Sequence, residues 1–286
     1  MRTPEKIRRA AVLGCGTMGQ GIAQVLAMAG IETTVHDVKE EALGKARAAI
    51  RANLDQGVEK KKFEPAVRDR ALENLALTVD FASATENAEV VIEAVPEDLS
   101  LKCSVFGRLG GLAADVLLAT NTSSLPITRI AEAAAHPGRV VGMHFFNPVH
   151  IMKLVEVVRA EQSSRAAVDL ALGLARRLDK EPIEVADAPG FASSRLGIAI
   201  GLEAIRMVEA GVASPADIDK AMTLGYGFPM GPLRLTDLVG LDVRLSIAEH
   251  LARELGPRYD PPELLRAKVA RGELGKKTGR GFYEWS

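Results

Sequence analysis

Four polar features stand where apolar runs give way to polar or special residues. Glu97 follows Val95-Pro96, Asn121-Thr122-Ser123-Ser124 follow Ala119, His144 opens His144-Phe145-Phe146-Asn147-Pro148, and Glu156 lies inside Lys153-Leu154-Val155-Glu156-Val157-Val158. A neutral imidazole is the side chain best suited to accept a proton from an alcohol near neutral pH. His144 is therefore the candidate general acid/base. It needs a partner that fixes its tautomer and stabilises the imidazolium, and Glu156 sits among apolar residues, where an unpaired carboxylate would be costly to bury. Pairing the two answers both requirements. A hydroxyl from Ser123 could then hold the substrate oxygen, and Asn147 could contact substrate or cofactor. Taken singly, each feature has a plainer reading. The histidine could be a hydrogen-bonded structural residue, Glu156 an edge residue facing water, and Asn121-Thr122-Ser123-Ser124 a helix cap.

A second constellation lies near the start. Gly14-Cys15-Gly16-Thr17-Met18-Gly19 has the spacing in which the first glycine makes a tight turn, the second admits a pyrophosphate to the backbone, and the third lets helix pack on strand. It follows a strand, opens a helix, and has Asp37 at the end of the next strand, 18 residues after Gly19. The helix N-terminus would hold the phosphates through free N–H groups and its dipole. A carboxylate at Asp37 accepts from both adenosine ribose hydroxyls and repels a 2′-phosphate, so NAD is expected over NADP. The bland alternative is a glycine-rich turn in a doubly wound protein. His36, beside Asp37, reads as a surface residue.

These residues need elements to carry them. Arg9 to Leu13 reads as a buried strand, Gln20 to Ala29 as a helix ended by Gly30, and Glu32 to Asp37 as a second strand, an alternation that means a parallel sheet. Residues 40 to about 78 break the rhythm with two long polar helices joined near Pro65, a helical hairpin that carries Lys60-Lys61-Lys62 and projects from the sheet. Strands resume at Val90–Val95, Val116–Thr120 and Val140–Phe145, with Leu154–Val158 and Glu184-Val185 last, separated by an amphipathic helix over about 165–178. After Asp187-Ala188-Pro189-Gly190 only helices follow. Ser214-Pro215-Ala216-Asp217 is a helix start with Ser as N-cap, and Leu235 to Leu255 carries apolar residues at helical spacing. The fold class is thus α/β: a Rossmann-like dinucleotide-binding domain with a projecting hairpin over 1–186, then an all-α domain over 187–286. The apolar helix faces of the second domain suit homodimerisation, or packing on each other alone.

The bulk numbers exclude several classes. Lys plus Arg (36) and Asp plus Glu (37) nearly cancel, so no net field holds nucleic acid or an anionic membrane. No apolar run is long enough to cross a bilayer. The two cysteines, Cys15 and Cys103, have no disulfide or metal-ligand spacing. The charged N-terminus has no apolar stretch of a signal peptide, so a soluble cytoplasmic protein without a metal is expected.

At these residues the sequence resembles the 3-hydroxyacyl-CoA dehydrogenase family, and within it the bacterial 3-hydroxybutyryl-CoA dehydrogenases. The resemblance runs through GCGTMGQGIAQ at 14–24, VIEAVPED at 91–98, NTSSL at 121–125, HFFNPV at 144–149, KLVEVV at 153–158, DAPGF at 187–191, GPLRLTDLVGLD at 231–242 and KKTGRGFYEW at 276–285. It implies an NAD-binding domain, a helical dimerisation domain, and oxidation of the 3-hydroxyl of a short acyl-CoA in a cleft between them. It implies that His144 and Glu156 form the catalytic pair and that Ser123 and Asn147 touch substrate and cofactor. Glu97, Lys102 and Lys277 match positions near the nicotinamide ribose or the cleft, and Lys60 matches one that meets the CoA phosphates. Where many members have an Asn before Arg195, to hold the reacting end of the substrate, this chain has the shorter Ser194. Two other readings stand beside this one: a dehydrogenase of a non-CoA hydroxy acid such as L-gulonate, and a non-catalytic NAD-binding protein. The 3-hydroxyisobutyrate dehydrogenases share the architecture but use a lysine in a glycine-rich helix that is absent here.

Overall fold

A computed structural model describes residues 2–285, which divide into two compact units at Ala188/Pro189. In the first, β1 (Arg9–Leu13), α1 (Thr17–Met28) and β2 (Glu32–His36) are followed by a hairpin of α2 (Glu40–Glu59) and α3 (Pro65–Glu73). Then come β3 (Leu75–Thr78), α4 (Phe81–Thr85), β4 (Val90–Glu93), α5 (Leu99–Arg108), β5 (Leu117–Thr120), α6 (Ile127–Glu132), β6 (Val140–Phe145), β7 (Leu154–Arg159), α7 (Arg165–Arg177) and β8 (Glu181–Ala186). The eight strands form one sheet in the order β3-β2-β1-β4-β5-β6-β7-β8. Strand order reverses beside β1, and the glycine loop and the ends of β4 and β5 meet there, at the kind of switch point where open α/β sheets bind ligands.

The central strands β4, β5 and β6 are buried at every position, as strands covered by helices on both faces must be. Every neighbouring pair is parallel except β6 and β7. The link between those two is too short for a crossover helix, which leaves an antiparallel pairing. Its register sets His144 directly opposite Glu156.

Two expectations for this unit are corrected, and one plainer alternative is set aside. Leu75–Thr78 is an edge strand paired with β2, not the tail of the hairpin's second helix. His36 is 7% exposed rather than on the surface, because Phe81 packs edge-on against its ring with centroids 5.4 Å apart. Burial pushes its imidazole down from the usual range. Asn121-Thr122-Ser123-Ser124 does not cap a helix, since α6 begins only at Ile127 with Pro126 before it.

The second unit holds α8 (Ser193–Glu209), α9 (Pro215–Gly225), α10 (Pro232–Val239), α11 (Leu241–Leu255) and α12 (Glu263–Ala270) around a core that includes Ile198, Leu202, Ile205, Leu233, Leu241 and Leu251. Ser214 caps α9 by accepting from the Asp217 N–H at 3.2 Å. The helical spacing over 235–255 belongs to two helices, because Gly240 adopts φ 103° between them. Buried Asp237 accepts from the N–H groups of Phe282 and Tyr283 and from the Trp285 indole, which binds the C-terminal segment to α10.

Candidate active site

His144 ends β6 and is 7% exposed, while Glu156 in β7 is fully buried. The antiparallel register points both side chains to the same face. His144 Nδ1 lies 2.7 Å from Glu156 Oε2. A carboxylate only accepts, so Nδ1–H donates, and the proton-transfer atom of the imidazole becomes Nε2. Phe146 packs against the ring at 4.5 Å between centroids. A cleft of about 360 Å³ is lined by Met18, Glu97, Asn121, Ser123, His144 and Asn147 among others, so the glycine loop and the histidine share one cavity within this unit.

Glu97 organises the opposite wall. Its Oε1 accepts from the Thr122 hydroxyl at 2.6 Å, the Ser123 N–H at 2.8 Å and the Ser123 hydroxyl at 3.1 Å. Burial pushes its carboxyl up, but the Thr122 bond, the nearby Lys102 charge and the bonds from Ser123 outweigh it and leave it below the ordinary range. The Ser123 hydroxyl thus directs its single proton to Glu97. Asn121 Oδ1 accepts from the Phe145 N–H at 2.9 Å and ties the end of β5 to the residue after His144.

The glycine loop fits a dinucleotide. Gly14 has φ +95°, and a Cβ on Gly19 would stand 1.8 Å from the Gly14 carbonyl oxygen, so loop and helix close on each other only because both are glycine. A Cβ on Gly16 would meet nothing within 4 Å, which leaves open space before the first N–H groups of α1. No side chain caps that helix and its first turn, which includes Thr17 and Met18, carries no acid, so the positive helix end remains for an anion. Asp37 accepts from the Cys15 N–H at 3.0 Å and the Lys39 N–H at 3.2 Å. Burial raises its carboxyl, and these bonds more than reverse that. Cys15 is pushed up to about 12 by burial and by its bond to Asp37, so it is a thiol and not a nucleophile.

Lys102 and Lys60, also expected as ligand residues, do not line this cavity. Lys102 is 1% exposed and donates to Glu93 at 2.7 Å and to the Val95 carbonyl at 3.2 Å, with Glu97 Oε2 at 3.5 Å. It is an interior brace beneath Glu97. Lys60 is exposed with Lys61 and Lys62 where α2 ends. In the second unit, Lys277 pairs with Asp242 at 2.6 Å, and Ser194 is half-buried in the first turn of α8, after a turn in which Gly190 and Phe191 both have positive φ.

Residues 9–188 match the model of the 3-hydroxyacyl-CoA dehydrogenase NAD binding domain, and residues 190–285 match that of the 3-hydroxyacyl-CoA dehydrogenase C-terminal domain. The chain belongs to the 3-hydroxyacyl-CoA dehydrogenase family. A 3-hydroxybutyryl-CoA dehydrogenase of Mycobacterium tuberculosis (strain CDC 1551 / Oshkosh) is 44% identical over 98% of this chain and 99% of its own. The mitochondrial hydroxyacyl-coenzyme A dehydrogenase of Homo sapiens is 40% identical over 98% of this chain and 91% of its own. The crystal structure of an (S)-3-hydroxybutyryl-CoA dehydrogenase from Ralstonia eutropha superimposes with a TM-score of 0.94 at 38% identity, covering 98% of this chain and 100% of that one.

Within this family fold, sequence reasoning missed Glu93 and Lys180. Glu93 is fully buried and accepts from Lys102, from the Thr120 hydroxyl at 2.6 Å and from the Val95 N–H at 2.7 Å. The signal that singled out Glu156, an acid inside an apolar strand, was present in Val90-Val91-Ile92-Glu93 as well. Lys180, 6% exposed, donates to the Val149 and Met152 carbonyls at 2.5 and 3.0 Å and fixes the loop after Asn147. Its sequence context carries no such signal.

Proposed function

We propose that the protein is an NAD-dependent dehydrogenase of short (S)-3-hydroxyacyl-CoA substrates, interconverting the 3-hydroxyl and 3-oxo groups of 3-hydroxybutyryl-CoA and acetoacetyl-CoA. The observation that carries this reading is the 2.7 Å His144–Glu156 pair in a cavity also lined by Ser123, Asn147 and the glycine loop. His144 removes the proton from the substrate hydroxyl at Nε2, and buried Glu156 stabilises the imidazolium; in the reverse direction the same imidazolium returns the proton. Ser123, whose N–H also holds Glu97, would turn its hydroxyl proton to the substrate oxygen, whose own proton faces Nε2, a positioning that saves entropy at the reacting centre. NAD, when bound, supplies the acceptor for the hydrogen that leaves C3 with its electron pair. Gly14 to Gly19 and Asp37 would hold its pyrophosphate and adenosine ribose, with Asn147 and Glu97 toward its nicotinamide end and Lys277 as a further contact. Lys102 serves this end through Glu97. Lys60 would meet the phosphates of CoA, and Ser194 the acyl group.

The same reading includes a cytoplasmic homodimer. Exposed Leu196, Leu235, Leu238, Val239 and Val243 on the helical unit supply apolar surface for it, and Cys15 and Cys103 are both free thiols. Sedimentation velocity tests the dimer. Among the described residues no helix is long and apolar enough to cross a membrane.

The decisive assay mixes the protein with NADH and acetoacetyl-CoA and follows nicotinamide absorbance, with a His144→Gln variant alongside. Rapid loss of NADH that disappears in the variant is expected. Binding of NADH with no turnover by the wild type would overturn the acyl-CoA reading and direct the search to free hydroxy acids.

A further inference from the structure

Strands β5 and β6 are paired only as far as Thr120 and Gly142, yet β6 continues for three more residues and carries His144 on that extension. Past the end of the ladder, the Phe145 N–H donates to Asn121 Oδ1 at 2.9 Å, while the N–H of Asn121 itself is fixed to the Glu93 carbonyl at 2.8 Å. The Asn121 side chain thus takes the place of a ladder rung where the two strands separate. A main-chain N–H only donates, so the amide must turn its oxygen toward Phe145. Its nitrogen, with two protons and no capacity to accept, makes no hydrogen bond with any described residue. Asn121 is half-buried and lines the cavity shared by Met18, Glu97, Ser123 and His144. Anchored through its oxygen, the amide presents a fixed pair of donors to the occupant of that cavity.

The order of the strands indicates which part of a dinucleotide meets these donors. Asp37 follows β2, the glycine loop follows β1, Glu97 comes after β4, Asn121 after β5, and His144 lies in β6, and these strands are neighbours in that order. A cofactor with its adenosine ribose at Asp37 and its phosphates at the glycine loop must pass over β4 and β5 to bring its nicotinamide to His144. Two strand spacings, about 10 Å, separate β1 from β5, a distance that one nucleoside can span. The polar groups along this stretch are complementary. Glu97 only accepts, and its Oε2, 3.5 Å from the Lys102 ammonium, takes none of the hydrogen bonds that hold Oε1. It suits the ribose hydroxyls, which donate. The carboxamide carbonyl of the nicotinamide has only lone pairs to offer, and the Asn121 nitrogen has only protons.

We propose that Asn121 donates through Nδ2 to the carboxamide oxygen of the nicotinamide and so fixes the orientation of the reacting ring. This rests on the reading of the protein as an NAD-dependent dehydrogenase, and it adds a residue that recognises the nicotinamide head apart from the rest of the dinucleotide. One amide then serves both partners of the reaction. Its oxygen ties the strand that carries His144 to β5, and its nitrogen holds the hydride acceptor, so acid/base and acceptor are registered to the same side chain.

Asn121→Asp separates the two roles, because a carboxylate still accepts from the Phe145 N–H but donates nothing. Its dissociation constant for NADH, read by fluorescence, is expected to rise about 3- to 10-fold, the worth of one neutral hydrogen bond. Its constant for ADP-ribose, which has no nicotinamide, is expected to stay that of the wild type. In the wild type, thio-NADH, whose carboxamide oxygen is replaced by the weaker acceptor sulfur, is expected to bind less tightly than NADH, and in Asn121→Asp this difference should shrink or reverse. Equal wild-type affinities for NADH and thio-NADH overturn the proposal, and that measurement needs no variant to fold. So does a difference of the same size in both proteins. An equal loss of NADH and ADP-ribose affinity in Asn121→Asp overturns it too, since the effect then belongs to the frame of β5 and β6. An unchanged NADH constant with a raised KM for acetoacetyl-CoA does the same and gives the amide to the substrate. Binding of ADP-ribose as tight as that of NADH refutes the contact and keeps the NAD reading; a wild type that binds neither refutes that reading itself.

Discussion

Replacing Glu156 with Gln keeps the size of the side chain and its ability to accept a hydrogen bond from His144 Nδ1–H, but removes the charge. The imidazole keeps its tautomer and place, and only the stabilisation of the imidazolium changes. Glu156 is fully buried and 2.7 Å from the ring, so water screens little of that interaction. A hydrogen bond to a charged group contributes about 1.5–3 kcal/mol, against about 1 kcal/mol between neutral partners. The difference, about 0.5–2 kcal/mol, corresponds to a loss of roughly 2- to 30-fold in kcat at 1.36 kcal/mol per tenfold. Glu156→Leu also strands Nδ1–H and should cost more, of the order of 10²- to 10⁴-fold, the full worth of a general acid/base. The assay is steady-state reduction of acetoacetyl-CoA, with NADH affinity measured separately by fluorescence. NADH affinity should hold, because the glycine loop joins β1 to α1 and Asp37 follows β2, none of them part of β6 or β7. A Glu156→Gln protein with kcat equal to or above that of wild type would refute the argument that the buried charge stabilises the imidazolium. A rise in KM at constant kcat would do so as well, since it would make the carboxylate a ground-state contact.

Three other substitutions probe the frame around that pair. Gly16→Ala should leave the melting temperature within about 1 °C, as surface changes away from special features do, and weaken NADH binding, because its Cβ meets no protein atom and occupies the space above α1; Gly19→Ala, with its Cβ 1.8 Å from a backbone oxygen, should lose both stability and binding. Equal effects of the two would contradict the division between a ligand-facing and a packing glycine. Lys102→Met leaves Glu93 buried without its cation and should cost about 3 kcal/mol in urea denaturation, with Glu93→Gln in the same chain restoring part of it; a change in NADH affinity with no loss of stability would make Lys102 a cofactor ligand after all. For Glu97, whose folded carboxyl lies below the ordinary value, the stabilisation is complete above an unfolded pKa of about 4.3 and is lost as pH falls through the lower folded value. The gap in melting temperature between wild type and Glu97→Gln should therefore be flat above about pH 5 and close below about pH 4, and a gap that widens on acidification would reverse the sign of the argument.

The parts legible in the sequence are those that backbone geometry dictates. The glycine spacing followed by Asp37, and the strands that end in polar residues, are visible because φ, close approach and strand burial each demand particular residue types. What was illegible depends on partners distant in the chain. Leu75–Thr78 is four residues of a half-buried edge strand, too short for alternation to separate it from a helix end. His36 is buried by Phe81, 45 positions away. Lys102, which the resemblance matches to a position near the cofactor or the cleft, meets the buried Glu93 only through the fold. The division of 235–255 into two helices hangs on the single φ of Gly240. The apolar periodicity passes through that break without a mark.

The four acids Asp37, Glu93, Glu97 and Glu156 differ in what holds them, and in the proposed mechanism only Glu156 takes part in proton transfer. Asp37 holds the N–H groups of Cys15 and Lys39, Glu93 holds Lys102, a hydroxyl and an N–H, and Glu97 holds two hydroxyls and an N–H beside Lys102. None of these donors is an imidazole, and each carboxylate serves as a fixed brace. Glu156 alone among the four is bonded to an imidazole, the one donor that takes up a proton in the proposed reaction. Burying a carboxylate is repaid in the first three cases by donors that are always present. For Glu156 the larger return comes only when His144 is protonated, the state formed as the hydroxyl gives up its proton. The burial of Glu156 is thus weighted toward the reacting state, which is the condition for a residue to accelerate a reaction rather than only bind its substrate.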